Sequence, residues 1–411
     1  MTLASYIDRL RGKRVAAIGI GVSNLPLIEL LAKEGIDVTA HDKRAADAIG
    51  DAIPRLRALG VKLALGPDYL DRLDADVLFR TPGLHPFTPQ LVEAQKRGAV
   101  LTSEMEAFFA VCPCMTIAVT GSDGKTTTSS IIAGLLEEEG RVVHLGGNIG
   151  HPLLVETPSF SPDDVAVLEL SSFQLHSMTC APDVAVVTNV SPNHLDIHPS
   201  FEDYVDAKRR IFHGQLNCQT LVLNRDNPIT KSFADEAKAR VLFFSRREAV
   251  RDGVFLSEGM LYAADNYAVE SILPASEILL PGVHNMENYM AAFCATRGLV
   301  SKDSMRQVAR NYGGVAHRLE LIRTRRGVRY INDSIASSPT RTIAGLRSFA
   351  NKPILIAGGY DKQIPFEELG REINRRVKAL FLTGYTAEKI KAAVVSDPEY
   401  DPMELPITVL D

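Results

Sequence analysis

The sequence predicts an α/β protein of three domains, each built on a parallel or mixed sheet covered by helices. Short β-branched runs alternate along the chain with amphipathic segments of helical length, the pattern of parallel sheets flanked by helices. The apolar runs end in polar residues, which is where open α/β sheets place their ligands. A length of 411 residues is too great for one comfortable core, so the chain is expected to divide.

The first block, residues 1–103, opens with "RVAAIGIGVSNLPLIELLAKEGIDVTAHDKR", a strand, a glycine turn, a helix and a second strand ending at Asp42. Gly19-Ile20-Gly21-Val22-Ser23-Asn24 follows a strand and opens a helix, with Asp42 about twenty residues on, as in the dinucleotide fingerprint of a Rossmann-like domain. Asn24 replaces the third glycine and is expected to keep the helix from its usual approach to the strand. The backbone N–H groups at this helix start favour a diphosphate. Lys43 and Arg44 suit an anionic nucleotide as well as they suit NADP, so the motif alone does not name its ligand.

The second block, residues 104–314, follows through the acidic, aromatic segment "SEMEAFF". Its apolar strands are "CMTIAVT", "DVAVLELSS", "DVAVVTN" and "TLVLNRD". The first runs into "IAVTGSDGKTTT", a phosphate loop with unusual spacing. The pattern G-x-x-x-x-G-K-[ST] would need glycine where this chain has Val119, and the nearest glycine is Gly121. Strand, Gly121-Ser122-Asp123-Gly124-Lys125-Thr126-Thr127, then helix still supplies backbone N–H groups, a lysine and a hydroxyl in the order that a triphosphate with Mg²⁺ requires. Lys125 is placed to neutralise the β- and γ-phosphates and Thr126 to hold the metal. Glu169, at the end of "DVAVLEL", is the acid that completes the metal's shell. Ser171, Ser172 and Gln174 follow it, a stretch that on its own would only cap a helix. His194 and Asp196, in "TNVSPNHLDIH", again follow a strand, and His194 reads equally as a metal ligand or a structural histidine. On local grounds Lys208 in "FEDYVDAKRRIF" is a surface lysine.

The third block, residues 315–411, carries strands near "VRYIND", "PILIAGG" and "ALFLTG". There are no internal repeats and no low-complexity tracts.

Composition narrows the function classes. A net charge of −5 implies no large basic face for nucleic acid. The five cysteines (Cys112, Cys114, Cys180, Cys218, Cys294) are odd in number and contain no C-x-x-C pair, which argues against both a disulfide framework and a zinc site and for a reduced, cytoplasmic setting. No run approaches the roughly 18 consecutive apolar residues of a membrane span, and the N-terminus has no signal-peptide core. A GTP switch would need N-K-x-D, and "NKPI" at Asn351 lacks the acid, so ATP is favoured.

Several of these segments together resemble the Mur ligase family, the ATP-dependent amide-bond enzymes of peptidoglycan precursor synthesis. "TGSDGKTTT" is similar to that family's T-G-[ST]-[NDK]-G-K-[ST]-T. "GGNIG" at Gly146–Gly150 and "ELSSFQL" at Glu169–Leu175 resemble its D-glutamate-adding branch, over about residue 15 to the end. The resemblance implies a Rossmann-like N-terminal domain for a UDP-linked substrate, a central P-loop ATPase-type domain and a C-terminal Rossmann-like domain for the amino acid. It implies ATP, two Mg²⁺ ions, the substrates UDP-MurNAc-L-Ala and D-glutamate, no nucleic-acid partner and a monomer.

The resemblance also assigns residues. Gly21, Val22, Ser23, Lys43, Arg44, Thr81, Pro82 and Gly83 would hold the UDP part, Asn148 and His194 would meet the muramoyl-alanine end and its metal, and Ser172 and Gln174 would join the substrate site. Glu169 would serve one Mg²⁺. Lys208 lies where the family carries a carbamylated lysine that supports the second, with Arg209 and Arg210 expected to favour the reactive neutral amine. Asn285, Asn288, Arg318 and Asp333 match nucleotide-contacting positions, and Lys125, His194 and Lys208 the catalytic ones.

Two departures stand out. Ile335 replaces the lysine of the family's N-D-S-K-A-[TS]-N, so charge is expected from Arg341 or Lys362, with Ser337 in the threonine's role and Lys362 on the D-glutamate side chain. The sequence ends at Asp411 before the family's "SPxxxSxDxFxxFxxRG" segment, from which weak or no ligation, with retained nucleotide and UDP-substrate binding, is expected. The alternatives are another Mur ligase, a folylpolyglutamate-synthetase-like ligase, or a nucleotide-binding protein without full activity.

Overall fold

The computed structural model describes every residue except Arg72, Leu195, Asp196, Tyr267, Ala316, Arg318, Lys362, Gln363 and Asp411. The chain divides into two compact units, Met1–Ala275 with Glu287–Val308, and Ser276–Met286 with Ala309–Asp411.

The first unit holds two sheets. β1 (Arg14–Ile18), β2 (Asp37–Asp42), β3 (Lys62–Leu65), β4 (Val77–Arg80) and β5 (Val100–Thr102) form a parallel sheet in the order β3-β2-β1-β4-β5. The order reverses between β1 and β4, the crevice at which such sheets bind ligands. The turns after these two strands are Gly19–Ser23 and Thr81–Gly83, and they meet closely. A Cβ on Gly19, whose φ is +93°, would lie 2.8 Å from Thr81 Cβ. The helix Asn24–Lys33 buries Leu27, Ile28 and Leu31 on one stripe against this sheet. Contrary to the expectation for Asn24, its side chain is buried and its Nδ2 donates to Ile18 O at 2.9 Å, so the amide ties the helix to the strand in place of glycine contact.

The second sheet comprises β6 (Met115–Thr120), β7 (Val143–Gly147), β8 (Val165–Glu169), β9 (Val184–Val187), β10 (Thr220–Asn224), β11 (Arg240–Ser245), β12 (Asp252–Ser257), β13 (Met260–Asp265) and β14 (Ala268–Pro274). The order is β14-β13-β12-β11-β10-β9-β6-β8-β7, parallel from β7 to β12 and antiparallel through β13 and β14. β6 lies between β8 and β9, with Val119 opposite Glu169 and Thr120 opposite Val187. Every residue of β8 and β9 is buried, as expected for apolar strands covered on both faces. The polar ends of β6, β8 and β9 therefore collect at one edge.

The second unit contains a hairpin of β15 (Glu320–Arg325) and β16 (Val328–Asn332), and a parallel sheet of β17 (Ile354–Gly358), β18 (Ala379–Thr383) and β19 (Ile407–Val409). Its core joins Leu380 and Leu382 of β18 to Leu346, Ile373 and Ile390 of three helices.

Candidate active site

Two glycines shape the loop after β6. Gly121 has φ +151°, and a Cβ there would lie 1.9 Å from Thr188 Oγ1. Gly124, with φ +81°, is the left-handed residue that opens the helix Lys125–Glu138, and its Cβ would meet Asn288 Oδ1 at 2.3 Å. A side chain at either position would displace a hydrogen-bonding partner.

The segment after β9 pins this loop. Asp123 N donates to Asn189 Oδ1 at 3.0 Å, while Asn189 Nδ2 and Thr188 Oγ1 donate to Asp123 O at 3.1 and 2.6 Å. Ser122 Oγ donates to Ser191 O, accepts from Ser191 N, both at 2.9 Å, and lies 3.0 Å from the Tyr204 hydroxyl. The loop is thus held in shape, with the positive end of a fourteen-residue helix behind it. Thr188, Asn189, Ser191 and Tyr204 were missed by sequence reasoning. The signal for the first three was the polar run "TNVS" at a strand end.

Lys125 folds over the loop, its Nζ donating to Gly121 O at 2.9 Å and Ser122 O at 3.0 Å. Lys208 Nζ donates to the same Gly121 O at 2.8 Å. Lys208 is 1% exposed, against the local reading of a surface lysine. It belongs to the stripe Tyr204, Ala207, Lys208, Ile211 and Phe212 that the helix Phe201–His213 buries. Burial pushes its amine well below the ordinary lysine range, the Lys125 charge adds to this, and Asp123 and Glu169 oppose it. This corrects the expectation that Arg209 and Arg210 hold the amine neutral: Arg209 is paired with Asp206 and Glu236.

Glu169 is buried at the end of β8. Its Oε2 accepts from Thr126 Oγ1 at 2.6 Å and its Oε1 from Asn148 Nδ2 at 2.7 Å. Asn148 N also donates to Glu169 O at 2.8 Å. Gly147 permits this approach, since a Cβ there would lie 2.4 Å from that carbonyl. Three residues expected to share a site, Thr126, Glu169 and Asn148, are thus joined directly.

A cavity of about 170 Å³ is lined by Val22, Ser23, Pro82, Asn148 and Gln174, all expected in substrate binding, together with Gly147, Gly150, Pro152 and Glu104. Glu104 was not anticipated. It is 5% exposed, accepts from Leu154 N at 3.3 Å, and burial raises its carboxyl to about 7. Gln174 also closes a capping box with Ser171, the helix-capping role that this stretch offers on its own. Ser172 is buried with its hydroxyl 3.0 Å from His198 Nε2. Asp42 accepts from Ile20 N and pairs with Arg44, which holds its carboxyl below the ordinary range despite burial. That acid is engaged with its own loop, which weighs against a ribose-binding role as in dehydrogenases. Lys43 is exposed beside it.

Residues 119–296 match the Mur ligase middle domain and residues 317–404 the Mur ligase glutamate ligase domain. The UDP-N-acetylmuramoylalanine–D-glutamate ligase of Acetivibrio thermocellus is 50% identical over 398 residues, covering 97% of this chain and 85% of that protein. The chain belongs to the Mur ligase family. The enzyme of the same name from Ruminiclostridium cellulolyticum is 49% identical over 392 residues, covering 95% of this chain and 84% of its own length. Among solved structures, UDP-N-acetylmuramate–alanine ligase of Thermotoga maritima aligns with 97% of this chain and 91% of its own at 19% identity and a TM-score of 0.56, a likeness of fold. A MurF ligase of Acinetobacter baumannii aligns with 80% of each chain at 18% identity and a TM-score of 0.58.

The remaining positions of the Mur ligase expectation are less concentrated. His194 is exposed, with φ +55° and its ring 5.2 Å from that of Phe173. Asn288 is buried, its Oδ1 accepting from Thr128 Oγ1 at 3.2 Å beside Gly124. In the second unit, Asn285 Nδ2 donates to Pro281 O at 2.7 Å, Asp333 Oδ1 accepts from Leu319 N at 3.1 Å, and Ser337 is exposed. Arg318, Lys362 and Asp196 lie outside the described residues. No helix among the described residues is long and apolar enough to cross a membrane.

Proposed function

We propose that this Mur ligase joins D-glutamate to UDP-N-acetylmuramoyl-L-alanine at the expense of ATP, through an acyl phosphate, in the making of peptidoglycan precursors. The observation that carries this reading is the 50% identity, across nearly the whole chain, to a ligase of that name. The bonds that tie Glu169 to Thr126 of the phosphate loop and to Asn148 support it.

The hard oxygens of Glu169 and Thr126, together at the loop, fit Mg²⁺. A second ion would fall to His194 and a carbamylated Lys208. When bound, the ions neutralise phosphate charge and orient the reacting oxygens. The chain's own groups do the rest. Loop N–H groups cradle the phosphates and the Lys125 ammonium balances charge on the transferred group. Asn148 fixes the Glu169 carboxylate through Oε1. Burial, by lowering the Lys208 amine's proton affinity, favours the neutral form that adds CO₂, releasing one proton and leaving a carbamate. The carbamate would carry a negative charge that attracts the Lys125 ammonium, where a Lys208 ammonium would repel it.

Gly21, Val22, Ser23, Lys43, Arg44, Thr81, Pro82, Gly83, Ser172 and Gln174 are assigned to the UDP-linked substrate. The substrate carboxylate attacks the γ-phosphorus, and ADP departs. The D-glutamate amine then attacks the acyl carbon, phosphate leaves, and the amide remains. Asn285, Asn288, Arg318 and Asp333 are assigned to the nucleotide, and Ser337 and Lys362 to D-glutamate, by resemblance. We retain the division 1–103, 104–314 and 315–411, a monomeric state and a cytoplasmic setting as part of this reading.

The test is phosphate release from ATP. It should require UDP-MurNAc-L-Ala and D-glutamate together and collapse in Lys125→Ala. Release independent of either substrate, or unaffected by Lys125→Ala, would overturn the assignment.

A further inference from the structure

Three elements of the first unit bring together His85 from the loop after β4, His176 from the end of the short helix Ser172–Leu175, and Asp203 from the first turn of Phe201–His213. One ligand atom of each lies within 4.8 Å of the others. We propose that His85, His176 and Asp203 form a binding site for a divalent transition metal of the zinc class, distinct from the magnesium sites of the nucleotide.

The spacing suits such an ion. His176 Nε2 and Asp203 Oδ1 are 2.9 Å apart. Two ligands each about 2.05 Å from a metal are separated by about 2.9 Å at a right angle and about 3.3 Å at the tetrahedral angle. His85 supplies what the pair lacks. Its Nε2 is buried with no hydrogen-bond partner among the described residues, a costly state for a ring nitrogen. Its Nδ1 accepts only a long 3.3 Å contact from Phe87 N, which ligation through Nε2 gives up as the ring proton moves to Nδ1.

The surrounding shell resembles that of a metal centre. Asp203 Oδ2 is held by His198 Nδ1 at 2.6 Å, and His198 Nε2 lies 3.0 Å from Ser172 Oγ. Such outer partners orient first-shell ligands. Phe87 packs against both histidine rings, at 5.4 and 5.8 Å between centroids, and shields one side. Burial keeps both imidazoles toward the neutral, ligating form. The Asp203 carboxylate favours a cation there, and the buried Arg80 guanidinium near His85 opposes it. Two imidazoles and one carboxylate select Zn²⁺, Co²⁺ or Ni²⁺ over Mg²⁺ and leave a position for water. This departs from the expectation of no zinc site, which rested on cysteine spacing alone and took no account of histidine and carboxylate ligands.

The experiment is titration of the full chain with Co²⁺ in excess Mg²⁺, read by visible absorption and thermal shift. One Co²⁺ per chain is expected, without a thiolate charge-transfer band, and with a raised melting temperature. His198→Gln should weaken binding about 10- to 100-fold, and His85→Gln, on a half-buried loop residue that leaves the core intact, by at least about 10-fold. Cys112→Ser/Cys114→Ser should bind as before. Absence of saturable binding, unchanged affinity in both His85→Gln and His176→Gln, or a thiolate band lost in the cysteine variant would overturn the proposal.

Discussion

Replacing Gly124 with alanine tests how the phosphate loop is built. The residue sits at φ +81°, where a non-glycine residue costs about 1–2 kcal/mol. Its Cβ would also lie 2.3 Å from Asn288 Oδ1, so the Asn288 amide must move and its hydrogen bond from Thr128 is lost, another 0.5–1.5 kcal/mol or so. The sum, roughly 1.5–3.5 kcal/mol, is relieved if the loop leaves its nucleotide-binding shape. At about 1.4 kcal/mol per factor of ten, ATP affinity should then fall about 10- to 300-fold. Calorimetric titration with ATP and Mg²⁺ measures this. Gly140→Ala is the control, since Gly140 has φ +83° with nothing within 4 Å of an added Cβ. It should lower the melting temperature and leave ATP binding intact. Gly124→Ala binding ATP within threefold of the parent, or Gly140→Ala weakening it equally, would refute the reasoning.

Other consequences follow from the same groups. Glu104, raised to about 7 when folded from about 4.5 when unfolded, carries a proton in the native state that the unfolded chain releases. Its contribution is full below about pH 4.5 and is lost as pH rises through 7, so Glu104→Gln should stabilise the chain above pH 7 by up to about 3 kcal/mol; a melting temperature no higher than the parent's at pH 8 would contradict this. Lys208 has the opposite linkage. Its folded pKa is depressed, so the unfolded chain binds the extra proton and stability falls as pH drops from about 10.5 toward the folded value. Lys208→Met should therefore raise the melting temperature at neutral pH while abolishing turnover, and a destabilised or active variant would count against the role given to it. Glu169→Gln should raise the Mg²⁺ concentration for half-maximal phosphate release at least tenfold, and an unchanged requirement would remove Glu169 from the metal site.

What could be read from the sequence was local. Gly121–Thr127 identify themselves because strand, loop and helix are contiguous, and Glu169 because an acid closes an apolar strand. The tie between Glu169 and Asn148 follows from β7 and β8 pairing side by side, which "GGNIG" and "ELSSFQL" foreshadowed only through resemblance. Lys208 was legible as a position and not as an environment: its helix stripe passes through two alanine- or lysine-sized positions that carry no strong apolar signal. Asn24 was misread because a missing glycine suggests a gap, whereas its amide makes the contact itself. His85, His176 and Asp203 lie far apart along the chain, and only the packing of three elements brings them together.

In the proposed reaction the substrate carboxylate takes the γ-phosphoryl group before D-glutamate arrives at the carbonyl. The direct measurement is to label the terminal carboxylate of UDP-MurNAc-L-Ala with oxygen-18, add ATP, Mg²⁺ and D-glutamate, and weigh the products. One labelled oxygen in the released phosphate is expected for each amide formed. Amide formation with unlabelled phosphate, or labelled phosphate without UDP-MurNAc-L-Ala-D-Glu, would contradict it.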